Sequence, residues 1–188
     1  MDALTIALLA IGGIIVVFLL FLVFLYNGLI RLRNQVKNSW AQIDVQLKRR
    51  NDLIPNLIET VKGYMKHEKG VFEAVTKART AFMNAGNMAA KAKASNMISD
   101  TLKTLFAVSE NYPTLKANEN FMQLQEELTG TENKIAYARQ HYNDMVMVFN
   151  TKIQKFPNNM FASMMSFGQE QMFEATEAEK KNVKVKFD

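Results

Sequence analysis

From Ala3 to Ile30 the chain carries no charged side chain, and from Leu22 onward a second pattern overlaps the first. Leu22, Leu25, Leu29, Leu32, Val36, Trp40, Ile43 and Leu47 fall three or four residues apart, the period of one helix face. Arg31, Arg33, Asn34, Lys37, Gln42 and Lys48 lie between them, as a solvated side requires. A helix needs about 20 apolar residues to cross a bilayer, and a single segment can satisfy its backbone in lipid only as a helix. Together the two patterns predict one membrane helix that continues into the first cytoplasmic helix, to about Asn51. Gly28 follows Asn27 as the weak point, since glycine in a helix costs about 1 kcal/mol relative to alanine. A hinge there is the alternative. Pro55 is expected to end the helix, because the residue before a proline is pushed out of helical geometry.

Three further helices follow from the same periodicity. The second is expected to start at Asp52 or Pro55, carry Leu57, Val61, Tyr64, Val71, Val75, Ala78 and Phe82, and end near Asn84-Ala85-Gly86-Asn87. The third runs from about Met88 to Asn111, with Pro113 closing it. In the fourth, Phe121, Leu128, Ile135, Tyr142, Phe149 and Phe156 recur every seventh residue, a packing seam of the coiled-coil type. Asn118 is placed to cap it and Pro157 to stop it; Gly130 is expected not to break it. The fold class is therefore all-α: a single N-terminal transmembrane helix continuing into a long antiparallel four-helix bundle, since short links between helices reverse their direction. The divisions expected are an outside N-terminus and anchor over residues 1–28, a cytoplasmic bundle over 29–157, and a Met/Phe-rich segment with a charged tail over 158–188.

Composition and charge refine this picture. The apolar run is too long for a secretory signal, has no basic residue before it and offers no small-residue cleavage site, so it reads as an uncleaved anchor. Arg31, Arg33, Lys37, Lys48, Arg49 and Arg50 follow the run and no Lys or Arg precedes it. Basic excess marks the cytoplasmic side, which puts the N-terminus outside and the body at the inner face of the plasma membrane. The net charge of +5 is explained by these membrane-proximal residues, chiefly Arg31, Arg33 and Lys37, which attract anionic lipid by about 1 kcal/mol each. The lipid bilayer is thus the first partner, and no aromatic–basic groove calls for nucleic acid. The chain has no cysteine, which removes disulfides and thiolate metal sites.

Catalytic constellations are absent. A di-iron bundle needs Glu-x-x-His on two helices, but Tyr64 and Ala138 stand three before the two histidines, His67 and His141. His141 and Asp144, one turn apart, read as a solvated pair. Gly63 and Gly70 do not make a phosphate-cradling loop, and neither helix-borne histidine supports a Ser-His-Asp arrangement. No enzyme activity, cofactor or metal is expected.

The polar residues at Asp44, Arg49, Arg50, Asp52 and Asn56 gather around the expected turn between the first two helices. They have two readings: ion pairs and caps that fix helix register, or a candidate partner patch. The uncharged stretch Phe156 to Phe167 also has two. With Met160, Phe161, Met164, Met165 and Phe167 it either lies at the membrane interface or against a neighbouring subunit, or it folds over an open end of the bundle core. The tail from Glu177 to Asp188 is charged and alternates at Val183-Lys-Val-Lys-Phe187, which permits an extended segment or disorder.

Several runs resemble a known family. Gln42-Ile-Asp-Val-Gln-Leu-Lys-Arg-Arg-Asn-Asp-Leu-Ile-Pro-Asn-Leu-Ile-Glu-Thr-Val-Lys-Gly-Tyr64 resembles the LemA signature, as do Tyr112-Pro-Thr-Leu-Lys-Ala-Asn-Glu-Asn-Phe121 and Thr131-Glu-Asn-Lys-Ile135. Ala136-Tyr-Ala-Arg139, Tyr142-Asn143 and Phe156-Pro-Asn-Asn159 extend the resemblance. It implies a bacterial or archaeal membrane protein with an N-terminal anchor, an outside N-terminus and a four-helix bundle; a magnetosome-associated membrane protein is among the family's members. The charged ending Val-Lys-Val-Lys-Phe-Asp departs from the family's uncharged Pro-Val-Asp-Phe type. The expectation is a non-enzymatic, self-associating scaffold or adaptor at the cytoplasmic membrane surface. The alternative is an accessory or regulatory subunit of a membrane enzyme, such as an envelope quality-control protease; another membrane protein is in either case a candidate partner.

Overall fold

A computed structural model of the chain describes residues 2–173. The tail from Glu177 to Asp188 lies outside the described residues. Six helices and no strand occur among the described residues: α1 (Ala3–Lys62), α2 (Lys69–Met83), α3 (Met88–Ser109), α4 (Pro113–Lys116), α5 (Glu119–Gln154) and α6 (Asn158–Met164). The chain forms two compact units, one of residues 2–39 with 142–172, the other of residues 40–141 with 173.

Helix α1 is continuous through Asn27-Gly28, so the hinge does not occur, and it also continues through Pro55 to Lys62. The expected turn at Asp52–Pro55 is therefore corrected: the first break comes at residues 63–68, and α2 starts at Lys69. The apolar stripe explains why. Ile43, Leu47, Ile54, Leu57 and Val61 are all buried, so packing draws the helix past the proline. Proline lacks the N–H that would bond the carbonyl four residues earlier, and that carbonyl, Asn51 O, accepts instead from Arg79 Nε of α2 at 3.4 Å. Pro55 itself is exposed, where its ring meets solvent rather than a neighbouring helix.

The second unit also holds α2, α3, α4 and most of α5. Asn87 caps α3, its Oδ1 accepting from Ala90 N at 2.8 Å. Asn118 caps α5 as the sequence predicts, accepting from Phe121 N at 3.0 Å, and its Nδ2 donates to Tyr64 Oη at 3.2 Å. The α5 seam buries Phe121, Leu128 and Ile135 here, and Gly130 leaves the helix unbroken. Met65, in the break between α1 and α2, is fully buried.

In the first unit α1 supplies Leu25, Leu29 and Val36 and α5 supplies Tyr142, Val146, Phe149 and Ile153 to the core. The seam stops at Phe149. Helix α5 ends at Gln154, so Phe156 leaves the register and is 79% exposed, correcting the sixth heptad position. After α6 the chain runs back without regular structure along α5. Asn150 holds it by a reciprocal pair, Nδ2 donating to Glu170 O and Oδ1 accepting from Glu170 N, both at 2.9 Å. The Tyr142 hydroxyl donates to Gln171 O at 2.8 Å.

Candidate functional site

Arg50 occupies a core position. Continuing the α1 stripe through Leu47 by three and then four residues leads to Arg50 and Ile54, and Arg50 is fully buried. Small residues on α3 make room for it: Ala94 and Ser95 are buried beside Ile98. The guanidinium is held from two helices. Nη1 donates to Glu132 Oε2 of α5 at 2.5 Å and to Ser99 Oγ at 2.8 Å. Nη2 donates to Ser95 O at 2.9 Å and Ser95 Oγ at 2.8 Å. Ser99 Oγ donates a hydrogen bond to Glu132 Oε1 at 2.7 Å, so both carboxylate oxygens are engaged. Burial lowers the Arg50 pKa from its ordinary value, and the charge and hydrogen bond of Glu132 oppose that shift. Arginine stays charged under such conditions, so the cluster is a fixed ion pair with no proton to exchange.

The neighbouring residues of the expected patch are spread along α1 instead of around a turn. Arg49 pairs with Glu127 at 2.8 Å, Asp44 with Lys91 at 2.5 Å, and Asp52 with Lys48 at 3.1 Å. Asn56 is exposed, and its carbonyl accepts from Thr60 Oγ1 at 2.8 Å. Arg50 contributes no surface to such a patch. Ser95 and Ser99 escaped sequence reasoning because α3 reads as an ordinary amphipathic helix. The available signal was the stripe itself, which meets a charged residue at Arg50 and therefore demands small polar partners opposite.

Further along the second unit, the Tyr112 hydroxyl donates to Glu68 Oε1 at 3.0 Å, and this hydrogen bond, with desolvation and the carboxylate charge, raises the Tyr112 pKa. Phe173 lies against Trp40, ring centroids 6.1 Å apart, and under the Arg139 guanidinium at 4.4 Å. The two larger of the surface clefts there are shallow. One of about 710 Å³ is lined by Ile58, Phe72, Glu73 and Lys77, the other of about 640 Å³ by Val45, Gln46, Tyr137 and His141. Both are open to solvent, unlike the enclosed clefts that bury most of a small molecule's surface. Among the described residues no three His, Cys, Asp or Glu side chains gather as metal ligands would.

In the first unit Arg31 and Lys37 are exposed, while Arg33 stacks over the Phe167 ring at 5.9 Å. Phe167 is buried and also meets Tyr26 and Phe149, at 6.0 and 6.4 Å. Phe161 lies 6.4 Å from both Phe18 and Phe21 of α1. Met165 is half-buried, and Met160 and Met164 are exposed. Residues 4–21 of α1 are exposed almost without exception and carry no charge, and α1 is the one described helix long and apolar enough to cross a membrane.

Known proteins resemble the chain over most of its length. It is 26% identical over 158 residues to the protein LemA of Metamycoplasma hominis, covering 84% of this chain and 72% of that one. It is 23% identical over 186 residues to the magnetosome protein MamQ 2 of Paramagnetospirillum magneticum, covering 85% and 68%. The magnetosome protein MamQ of Magnetospirillum gryphiswaldense is 22% identical, with the same coverage. The LemA family model matches residues 39–187, from the buried stripe of α1 through the Arg50–Glu132 cluster and the α5 seam, and the chain belongs to the LemA family.

Proposed function

We propose that the protein is a non-catalytic, membrane-anchored helical scaffold that self-associates at the cytoplasmic face of the plasma membrane. One observation carries the reading: a single helix is uncharged and largely exposed from Leu4 to Phe24, then presents buried Leu25, Leu29 and Val36 to its own domain. Anchor and the start of the body thus share one continuous helix. Residues 4–24 rise about 32 Å at ~1.5 Å per residue, close to the ~30 Å hydrocarbon thickness. Arg31, Arg33 and Lys37 follow directly and fix the body on the cytoplasmic side, with the N-terminus outside. The magnetosome names of the similar proteins agree with residence at a membrane.

The body is read as an antiparallel bundle, and the pairings of the second unit support it. Asp44 and Arg50 of α1 meet Lys91 and Ser95 of α3 in ascending order, so these helices run together. Tyr64, just past α1, meets Asn118, the cap of α5, and Arg49 meets Glu127, in descending order, which supports α5 running against α1. The cleft with exposed Val45 and Tyr137 supplies apolar surface for a second copy. Sizing of the detergent-extracted full chain tests the proposal. A homogeneous homo-oligomer, larger than the 21.4 kDa chain, is expected; a monomer that co-purifies a different membrane protein overturns the scaffold in favour of an accessory subunit.

A further inference from the structure

We infer that α6 and the residue that leads into it, Phe156, form a second membrane contact, an interfacial helix seated in the inner-leaflet acyl region beside the transmembrane part of α1. The inference rests on the reading of α1 as membrane-spanning. Its first support is depth. Phe161 touches Phe18 and Phe21, inside the uncovered stretch that ends at Phe24. Phe21 lies three residues before that end, about 5 Å further in at ~1.5 Å per residue. A segment in contact with it therefore cannot stay in bulk water once α1 is inserted.

The second support is composition and facing. No charge occurs between Lys155 and Glu170. Met160 and Met164, one turn apart on α6, are 63% and 71% exposed, and Phe156 is 79% exposed. Single apolar side chains on a surface need no explanation, but an uncharged group of this size does. The opposite face is already occupied, with Asn158, Ala162 and Phe167 buried. The exposed face thus has no partner among the described residues, and its neighbour is the surface of α1 that would face lipid.

The third support is the backbone. Low-dielectric surroundings penalise every unpaired N–H and C=O, and the ends of α6 are closed internally. At the N-terminus Asn159 N donates to Lys155 O at 3.0 Å and Met160 N donates to Asn159 Oδ1 at 3.0 Å, while Asn158 Nδ2 closes the end of α5 by donating to Lys152 O at 3.0 Å. At the C-terminus Ser166 takes a left-handed φ of 57°, which lets Phe167 N donate to Ala162 O at 2.9 Å, the six-to-one bond of a Schellman turn. Lys152 and Lys155 at the entry are long enough to keep their charges among the headgroups, and Tyr26 at Phe167 suits the same depth.

The test uses the full chain in vesicles of phosphatidylcholine and phosphatidylglycerol, with acyl chains brominated or not. Trp40, the single tryptophan, is replaced by Trp40→Phe, and one tryptophan is introduced at a time: Met160→Trp, Met164→Trp, Leu9→Trp within the anchor, and Met122→Trp on the exposed face of α5. Fluorescence of Met160→Trp and Met164→Trp should be quenched by bromolipid nearly as strongly as that of Leu9→Trp, and several-fold more than that of Met122→Trp. Quenching no greater than at Met122→Trp, with Leu9→Trp quenched, overturns the inference and leaves the anchor standing; open water and coverage by a second copy both give that result. Loss of quenching at Leu9→Trp as well removes the anchor and this inference with it. Because the chain has no cysteine, a nitroxide on Met164→Cys gives a second reading. It should collide more with oxygen and less with a water-soluble nickel chelate than a nitroxide on Met122→Cys, and the reverse order overturns the inference.

Discussion

The Arg50 guanidinium meets the Glu132 carboxylate at 2.5 Å, with the arginine side chain 1% and the glutamate side chain 39% exposed. The two partners are therefore unequal. Glu132 keeps access to water, whereas Arg50 is committed to the interior and depends on Glu132, Ser95 and Ser99. Its Nε has no partner among the described residues, so the desolvation cost is only partly offset. Breaking a buried pair from one side leaves an uncompensated charge, while replacing both sides with apolar groups of similar volume is often nearly neutral. Glu132→Met is thus expected to cost about 3 kcal/mol, because it strands the buried cation. Arg50→Met should cost less, since Glu132 can turn to solvent, and Arg50→Met with Glu132→Met should recover most of the loss of Glu132→Met. Denaturant or thermal melts in detergent check this. Additive losses in the double variant would show that the two residues act separately.

Pro55 and Arg79 form a second coupled pair. Proline in a helix interior costs about 3 kcal/mol relative to alanine, and the Arg79 bond to Asn51 O returns about 1 kcal/mol of that. Pro55→Ala restores the missing helical N–H, so it should stabilise the protein by about 1–3 kcal/mol. Arg79→Met should be destabilising in the native background and close to neutral in Pro55→Ala. Equal effects of Arg79→Met in both backgrounds would mean that the carbonyl left by the proline is not what Arg79 serves.

These pairs mark where the sequence could be read and where it could not. Helix α3, the Asn118 cap and the α5 seam from Phe121 to Phe149 follow from periodicity and capping chemistry, which are local. Pro55 misled because its local preference to end a helix was outweighed by tertiary burial of Ile54, Leu57 and Val61. Arg50 misled for a related reason. A charge beside Arg49 reads as surface, yet the stripe spacing from Leu47 to Ile54 passes through it. Phe156 fits the heptad count, but α5 ends two residues earlier, and a seam position means nothing once the helix stops. In each case the deciding contact comes from residues distant in sequence: Arg79, Ser95 and Glu132 for the first two, Phe18 and Phe21 for the segment after Phe156.

Gly28 gives a direct measure of helix continuity at the junction of the uncovered and buried parts of α1. A Cβ added there meets nothing within 4 Å. Gly28→Ala should therefore stabilise by about 0.5–1 kcal/mol and leave oligomeric state unchanged. A loss of stability would indicate that the chain needs to bend at Asn27-Gly28.

Asn118 both caps α5 and donates to Tyr64. Asn118→Ala should cost about 1 kcal/mol and increase hydrogen exchange at Phe121 and its neighbours in the first turn. Asn118→Asp keeps the acceptor, places a negative charge at the positive end of the helix, and should be neutral or stabilising. An equal loss in both variants would shift the weight from the cap to the Tyr64 contact.

Tyr142 predicts an alkaline limit to stability. Burial, with the charge of Glu170 behind it, raises its pKa above the ordinary 10.0. Below about pH 10 the hydroxyl is protonated in both the folded and the unfolded chain, so it adds no pH dependence there. Above that value the unfolded chain loses the proton first and binds fewer protons than the folded one. Stability then falls as pH rises, until the folded pKa is passed. Tyr142→Phe loses the bond to Gln171 O and should be about 1 kcal/mol less stable at neutral pH. Its stability should also decline less steeply as pH rises above about 10. The two proteins differ at this one side chain, so the difference between the two curves isolates the tyrosine. Parallel curves would show that the Tyr142 proton is not held by the fold.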